Sequence, residues 1–236
     1  GLLVSFPALA STFAYVFTMD GYMMALFLAV LSVLFTQKYK KGWILGGVCL
    51  AFSMGIYQAY LPFAILLCVY VILLFFMEEH GVKEKVQYTL RYLGMGIAGA
   101  VLYYVILQIL LKLQGKVLDT YQGINSMEQG GSGQGLLTTL KGMYYDFLAF
   151  TLHGDVLVNN IFSFAACVVL LLLVVFLLVR RMFQRKWWKN PAFFVIIILL
   201  AVGLPLLTNV ILIISPNLTY HLLMRYQWVL YLSLIH

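Results

Sequence analysis

Long apolar runs recur from one end of the sequence to the other and are separated by short polar connections. Apolar residues make up 64% of the 236 residues, only 10% are charged, and the mean hydropathy is +0.98. A soluble domain usually has about a quarter of its residues charged. Apolar runs of this length cross a bilayer as helices, whereas membrane barrels use short alternating strands. The sequence therefore predicts an all-α, polytopic transmembrane bundle.

About eight spans can be placed along the chain, each near the roughly 20 residues that a bilayer requires. The run 43–77 is too long for one span, and we interpret it as a hairpin of two. The chain begins and ends within apolar runs, so we expect 1–236 to be a single membrane domain that lacks N-terminal and C-terminal spans. The predicted spans are 1–17, 21–36, 43–56, 58–77, 92–111, 161–179, 192–214 and 226–236.

Positive charge is concentrated in the connections 37–41, 78–91 and 180–190, which hold 11 of the 15 Lys and Arg residues. Basic connections face the cytoplasm, and the hairpin keeps all three on that side. This distribution indicates membrane topology and argues against a nucleic-acid partner. The outer side then receives five of the eight acids, which are Asp20, Asp119, Glu128, Asp146 and Asp155.

The tip of the predicted hairpin is polar. The helix that leads to it has about 14 residues and rises only about 21 Å, so we expect the tip to lie in a recess below the outer surface. Tyr57, Gln58 and Tyr60 at this tip can stack on and hydrogen-bond a sugar ring. They can equally form part of the ordinary aromatic belt of a membrane protein.

Asp20 is the only acid before Glu78. It is predicted to lie in a tight turn, 18–21, at the outer end of two spans. A carboxylate in or near hydrocarbon is costly and points to function. Asp20 can bind a divalent cation, act as a general base or hydrogen-bond a sugar hydroxyl. The alternative is an N-cap for the helix 21–36.

His221 and Arg225 lie in the last outer connection. They are four residues apart and share a face if the segment is α-helical. A guanidinium binds phosphate with two parallel hydrogen bonds, and the phosphate of a lipid lies at this depth. The alternative role for Arg225 is an interfacial anchor flanked by Tyr226 and Trp228.

The segment 113–160 is the only long outer connection. Its first part, 113–135, is rich in glycine and polar residues and is predicted to be a mobile loop, which is either a functional lid or a disordered linker. Its second part, 136–152, has apolar residues at helical spacing, with Lys141 and Asp146 among them. We expect an amphipathic helix on the membrane surface.

Motifs of soluble enzymes do not explain the chain. Gly94-Met-Gly96-Ile-Ala-Gly99 matches a dinucleotide fingerprint, but no strand precedes it. Small residues in a membrane helix allow close helix packing, which is the interpretation we favour.

Three stretches, in this order, resemble the bacterial Gtr-type glucosyltransferase domain family: SFPALASTFAYVFTMDGY at 5–22, GIYQAY at 55–60 and MRYQ at 224–227. The resemblance implies a GT-C-like fold. It also implies transfer of a sugar, glucose in this family, from a polyprenyl-phosphate carrier to a surface glycan. The reaction would take place at the extracytoplasmic face of the bacterial inner membrane.

The resemblance also bears on site residues. GT-C enzymes carry an acidic base in their first outer loop, which would precede Gly1, so no catalytic residue is assigned here. Asp20 matches the second outer loop, where acids assist acceptor or metal contacts in some members. No cofactor is assigned, and a divalent cation at Asp20 is left open.

Two other functions remain open at this point. A transporter or flippase for lipid-linked sugars would carry broken helices at mid-membrane, and Gly203, Pro205 and Asn209 fit that pattern. A glycan polymerase or ligase would carry arginine-bearing outer loops, which only Arg225 matches.

Overall fold

The computed structural model describes residues 7–78, 80–116, 136–153, 161–184, 191–214 and 221–233. Within these ranges every regular element is a helix, which confirms the predicted all-α class. Three segments are 3₁₀ helices, Phe13–Thr18, Gln58–Tyr60 and Leu222–Trp228. The α-helices are α1 (Pro7–Thr12), α2 (Met19–Lys38), α3 (Gly42–Ile56), α4 (Leu61–Met77), α5 (Val82–Gln114), α6 (Leu136–His153), α7 (Ile161–Gln184), α8 (Pro191–Thr208), α9 (Ile211–Ile214) and α10 (Val229–Ser233).

Three helical stretches of the described chain are long and apolar enough to cross a membrane: Phe13–Lys38, Gln58–Phe76 and Val82–Gln114. Gly42–Ile56 and Phe164–Leu173 are apolar but shorter. These helices fit a membrane-associated protein. The count of about eight spans and the GT-C-like fold stay predictions.

The start of the chain differs from the expected span 1–17 followed by a turn at 18–21. After α1 the backbone continues as a 3₁₀ helix with a kink at Tyr15, and α2 begins at Met19 without an intervening turn. Ser11 and Thr12 hydrogen-bond backbone carbonyls three residues earlier, and such bonds compete with regular helix. Aromatic and β-branched residues in 13–18 have modest helix propensity, which adds to the irregularity. Residues 1–6 lie outside the described chain.

Helices α2 and α3 run antiparallel and very close. The Ser53 hydroxyl donates to the Ala25 carbonyl at 2.7 Å. Toward the other end, a Cβ atom added to Gly46 would overlap Ser32 and Thr36 of α2. A small residue at the crossing point therefore sets the distance between the two backbones.

Contacts along α5 show the directions of α3 and α4 relative to it. Trp43 and Leu50 of α3 face Gly94 and Gly99 of α5, so α3 and α5 run parallel. Gln58, just before α4, bonds Tyr103, whereas Phe75 near the end of α4 stacks on Tyr88 at 4.0 Å. Helix α4 is therefore antiparallel to α5 and to α3, so 43–77 forms the predicted helical hairpin, and its two membrane crossings stay a prediction.

Helix packing is also the role of Gly99. A Cβ atom there would lie 2.9 Å from Leu50 Cδ2, whereas a Cβ atom at Gly96 would meet nothing within 4 Å. The packing interpretation of the glycine motif is confirmed at Gly99 and does not extend to Gly96.

Helix α5 is longer than the predicted span 92–111. It has 33 residues and starts at Val82, so most of the expected basic connection 78–91 is helical. At about 1.5 Å per residue it is roughly 50 Å long, more than the hydrocarbon core of a bilayer. Lys40 and Arg91 line one cavity, so the 37–41 and 78–91 segments lie together. We call this the basic end of the bundle.

The second half of the described chain contains two predicted helices and one broken helix. The segment predicted as the span 161–179 is helical as α7, and the break lies at Asn209, which the transporter alternative had singled out. The helix predicted for 136–152 is present as α6, and its placement on a membrane surface stays a prediction. The predicted span 192–214 is divided into α8 and α9, which are separated at Asn209 and Val210. The span predicted from 226 begins as 3₁₀ helix and becomes α10. Most of the predicted loop, 117–135, lies outside the described residues.

Candidate functional site

Four tyrosines from three separate parts of the chain form a continuous ring-to-ring series, which we call the tyrosine cluster. Tyr22 is on α2, Tyr57 and Tyr60 are at the hairpin tip, and Tyr226 is in the last 3₁₀ helix. Ring centroids are 4.6 Å apart for Tyr22 and Tyr57, 5.2 Å for Tyr57 and Tyr60, and 6.3 Å for Tyr60 and Tyr226. Aromatic pairs at these separations favour a fixed mutual geometry.

The three predicted residues of the hairpin tip differ in exposure. Tyr57 interrupts the helices with an extended backbone, and its side chain is partly exposed, as is that of Gln58. Tyr60 is fully buried, and its hydroxyl has no hydrogen-bond partner among the described residues. A buried hydroxyl without a partner is energetically costly, so this atom is a point where a bound polar group would gain a hydrogen bond.

The hairpin tip stops well short of the end of α5. The Gln58 amide donates to the Tyr103 hydroxyl. From Tyr103, α5 continues to Gln114, a rise of roughly 16 Å. The tip is therefore recessed relative to the end of α5, in the direction the sequence predicts. Its depth in a bilayer stays a prediction.

Asp20 lies beside this tip but does not cap a helix. The N-cap position of α2 is Thr18, so Asp20 is in the first helical turn. Its side chain is exposed. A Cβ atom at the neighbouring Gly21 would lie 3.7 Å from Ile56, which places Asp20 at the level of the tip. The N-cap alternative is wrong, because α2 begins earlier than the sequence pattern indicates. A carboxylate in the first turn still interacts favourably with the helix dipole.

Arg225 is buried in a bidentate ion pair with Asp146 of α6. Nη1 donates to Oδ2 at 2.8 Å, and Nη2 donates to Oδ1 at 2.6 Å. The guanidinium carbon also lies 4.6 Å from the centre of the Phe150 ring. Arg225 is 6% exposed, so it is not a surface anchor. The interfacial-anchor alternative therefore does not describe its environment.

His221 does not share a face with Arg225. Residues 222–228 form a 3₁₀ helix, and His221 precedes it with an extended backbone. A 3₁₀ helix has three residues per turn, so a spacing of four no longer aligns two side chains. His221 is exposed whereas Arg225 is buried. The expectation of a common face is wrong because it assumed an α-helix.

Two buried amide side chains make contacts between distant segments that sequence reasoning missed. The Asn209 amide, at the break between α8 and α9, donates to the Met143 carbonyl at 2.8 Å. The Gln227 amide donates to the Thr208 carbonyl at 3.1 Å. Asn209 and Gln227 are fully buried. Asp146 was predicted only as an outer acid on an amphipathic helix, and the sequence gives no signal that its partner is Arg225.

A metal site is not formed by the described residues, since no group of three or more potential His, Cys, Asp or Glu ligands occurs among them. Cation binding at Asp20 stays a prediction.

The described site thus combines an exposed carboxylate, a tyrosine cluster and a buried guanidinium at one end of the bundle. Aromatic rings and polar groups suit a ring-shaped polyol, and a guanidinium suits an anion.

A sequence model of the family described as Glucosyl transferase GtrII matches residues 1–234, which is nearly the whole chain. Curated proteins gave no significant match. Solved structures gave none either.

Proposed function

Because the chain belongs to the glucosyl transferase GtrII family, we propose that it moves glucose from a polyprenyl-phosphate carrier to a cell-surface glycan. Family membership identifies a glycosyltransferase, which uses a sugar donor and an acceptor, and it confirms the resemblance seen in the sequence. We propose the polyprenyl-phosphate carrier, the glycan acceptor and the side of the membrane in addition to what family membership identifies.

The observation that carries the proposal is the convergence of three distant stretches on one end of the bundle. The stretches 5–22, 55–60 and 224–227 contribute Tyr22, Tyr57, Tyr60 and Tyr226 to the tyrosine cluster. Aromatic faces beside hydroxyl and amide groups suit sugar recognition, because a sugar ring presents apolar C–H faces and polar edges. Helix packing alone does not require four tyrosines at one point.

Arg225 is proposed to stabilise the phosphate of the donor. During transfer an acceptor hydroxyl attacks the anomeric carbon, the bond from that carbon to the phosphate oxygen breaks, and the acceptor proton passes to a base. Negative charge accumulates on the departing polyprenyl phosphate, where a fixed guanidinium is most effective. The Asp146 carboxylate already places two oxygens on Arg225, a geometry that a phosphate can also adopt.

The remaining predicted residues receive positioning roles. Asp20 is proposed to orient the acceptor hydroxyl, directly or through a divalent cation. Tyr57 and Gln58 contact the sugar, and the buried Tyr60 hydroxyl accepts or donates one hydrogen bond to it. His221, which is exposed, is proposed to contact the substrate from the solvent side. No base is assigned to the described residues.

The orientation of the protein in the membrane is inferred from the distribution of its basic residues. The basic end is proposed to face the cytoplasm of a bacterial cell, in accordance with the positive-inside rule. The tyrosine cluster then faces the extracytoplasmic side of the inner membrane, where a lipid-linked sugar and a surface glycan meet. The proposal includes a GT-C-like single membrane domain of about eight spans.

Two alternatives considered from sequence are less well supported. The break at Asn209 fits a transporter, but the Asn209 side chain bonds helix α6 and so has a structural role. A polymerase or ligase rests on Arg225 alone. Family membership favours glucosyl transfer over both.

The test uses membranes that contain the full-length protein and radiolabelled polyprenyl-phosphate glucose. Label transferred to endogenous glycan is measured for wild type, Asp20→Asn and Arg225→Ala. Removal of one hydrogen-bond donor that stabilises a transition state typically lowers the rate about 10²- to 10³-fold. We expect a loss of this size for Arg225→Ala. Asp20→Asn is expected to reduce transfer as well. A neutral amide oxygen accepts a hydrogen bond from the hydroxyl of the acceptor sugar less strongly than a carboxylate does.

The matched control is Lys112→Gln, which removes an exposed cation near the end of α5, away from the tyrosine cluster. It should leave transfer unchanged. Normal transfer by both site variants would overturn the assigned roles. Absence of transfer by the wild type, with transfer from a different lipid-linked sugar, would overturn glucose as the substrate.

A further inference from the structure

A cavity of about 500 Å³ lies at the basic end, between the start of α3 and the first half of α5. It is lined by Lys40, Trp43, Gln87, Leu90, Arg91 and Gly94. Along α5 the cavity is separated from the level of the tyrosine cluster by the residues from Arg91 to Tyr103, roughly 18 Å. The cavity therefore does not belong to the site described above.

Two cationic side chains, Lys40 and Arg91, line the cavity. Neither Lys40 nor Arg91 has an ion-pair partner among the described residues. The neighbouring described acids are engaged elsewhere, because His80 lies 2.9 Å from Glu78 and 3.4 Å from Glu84. The N-terminus of α3 adds the positive end of a helix dipole, since α3 begins at Gly42, beside Trp43.

An apolar track leads away from the cavity along α5. Leu90, which lines the cavity, is 57% exposed, and it is followed at helical spacing by Leu93, Ile97 and Val101, each 58% exposed. Residues three and four apart share one face of a helix, so these side chains form one stripe. The stripe is about 16 Å long, comparable with much of an acyl chain in one leaflet.

We propose that this cavity binds the phosphate headgroup of an anionic phospholipid, whose acyl chain lies along the Leu90–Val101 stripe. Lys40 and Arg91 pair with the phosphate, Gln87 hydrogen-bonds the polar headgroup, and the Trp43 ring packs against the glycerol region. Basic pockets between membrane helices recognise anionic headgroups in this way. A soluble phosphate would use the charges but would gain nothing from the apolar stripe that begins at the cavity.

The test measures quenching of Trp43 fluorescence by lipids with brominated acyl chains. Full-length protein is reconstituted into phosphatidylcholine vesicles that contain increasing fractions of brominated phosphatidylglycerol or of brominated phosphatidylcholine. The signal of Trp43 is the difference between wild type and Trp43→Phe. Each basic side chain near an anionic headgroup contributes about fivefold in binding, so half-maximal quenching should need several-fold less phosphatidylglycerol than phosphatidylcholine.

The charge variant Lys40→Gln/Arg91→Gln should lose this preference. The matched control is Lys41→Gln/Lys83→Gln, which removes the same charge from the same end but from exposed residues outside the cavity, and it should keep the preference. Equal quenching by the two lipids would overturn the proposal. An equal loss of the phosphatidylglycerol preference in both variants would show that the lipid is attracted to the whole basic end. That result would also overturn the proposal. Displacement of phosphatidylglycerol by inorganic phosphate would assign the cavity to a soluble anion instead.

Discussion

The pair formed by Arg225 and Asp146 joins two segments that are 79 residues apart in the chain. Burial of two charges costs free energy that their attraction only partly offsets, so such a pair contributes little to net stability. Its bidentate geometry does fix the plane of the guanidinium. At the scale of residues, the pair therefore serves mainly to orient Arg225 and to dock α6 against the last 3₁₀ helix.

Removal of one partner should cost more than removal of both. Arg225→Met leaves the Asp146 carboxylate without its guanidinium, and we expect the free energy of unfolding to fall by about 3 kcal/mol. Combination with Asp146→Leu should regain most of that loss, because two apolar side chains then replace the pair. The measurement is thermal unfolding of the purified protein in detergent. Additive destabilisation in the double variant would contradict the pairing. Neither variant should transfer sugar.

Helices α2, α3 and α5 approach closely because small residues lie at their contacts. Without a strong hydrophobic driving force inside a bilayer, close van der Waals packing is the main attraction between helices. Two glycines on α5 allow the effect of packing to be distinguished from that of helix propensity. Gly99 faces Leu50, whereas Gly96 faces open space.

Substitution of these two glycines by alanine should have opposite effects. Gly99→Ala introduces a Cβ atom 2.9 Å from Leu50 Cδ2 and should destabilise the protein by about 1–3 kcal/mol. Gly96→Ala meets nothing within 4 Å and should stabilise it by up to about 1 kcal/mol through better helix propensity. The midpoint temperature of unfolding reports both. A similar loss from both substitutions would indicate that backbone freedom, and not packing, is the reason for the motif.

The whole molecule has two chemically different ends. Lys40 and Arg91 mark one end, and the tyrosine cluster with Asp20 and Arg225 lies toward the other. Helix α5 runs between them and extends past the hairpin tip, so the site is recessed relative to the end of α5. This polarity suits an enzyme that works at one face of a membrane.

The two ends of α5 should be reachable from opposite sides of the membrane. In a variant without native cysteines, Lys83→Cys should react with an impermeant maleimide only from the cytoplasmic side, and Lys116→Cys only from the outer side. Both positions are exposed, and the helix between them is roughly 50 Å long. Labelling is compared between intact cells and inverted vesicles. Reaction of both cysteines from one side would rule out α5 as a span.

Several features follow from local pattern alone. Apolar runs specify membrane helices because the cost of unpaired backbone groups in lipid leaves few alternatives. The run 43–77 was predicted as a hairpin from its length and from charge parity, and α3 and α4 are antiparallel. Apolar spacing predicted the helix at 136–152. Three short stretches identified the family whose model matches nearly the whole chain.

Other features depend on contacts between distant segments, and no local pattern contains them. The sequence by itself determined the helical class, the hairpin with its polar tip and the family. Tertiary structure alone decided that residues 222–228 form a 3₁₀ helix, which buries Arg225 and leaves His221 exposed. It also decided that α2 begins before Asp20, and that Asp146 is the partner of Arg225. The physical reason is that periodicity reports only which face of a segment is apolar. The partner of a buried charge depends on how separate helices pack.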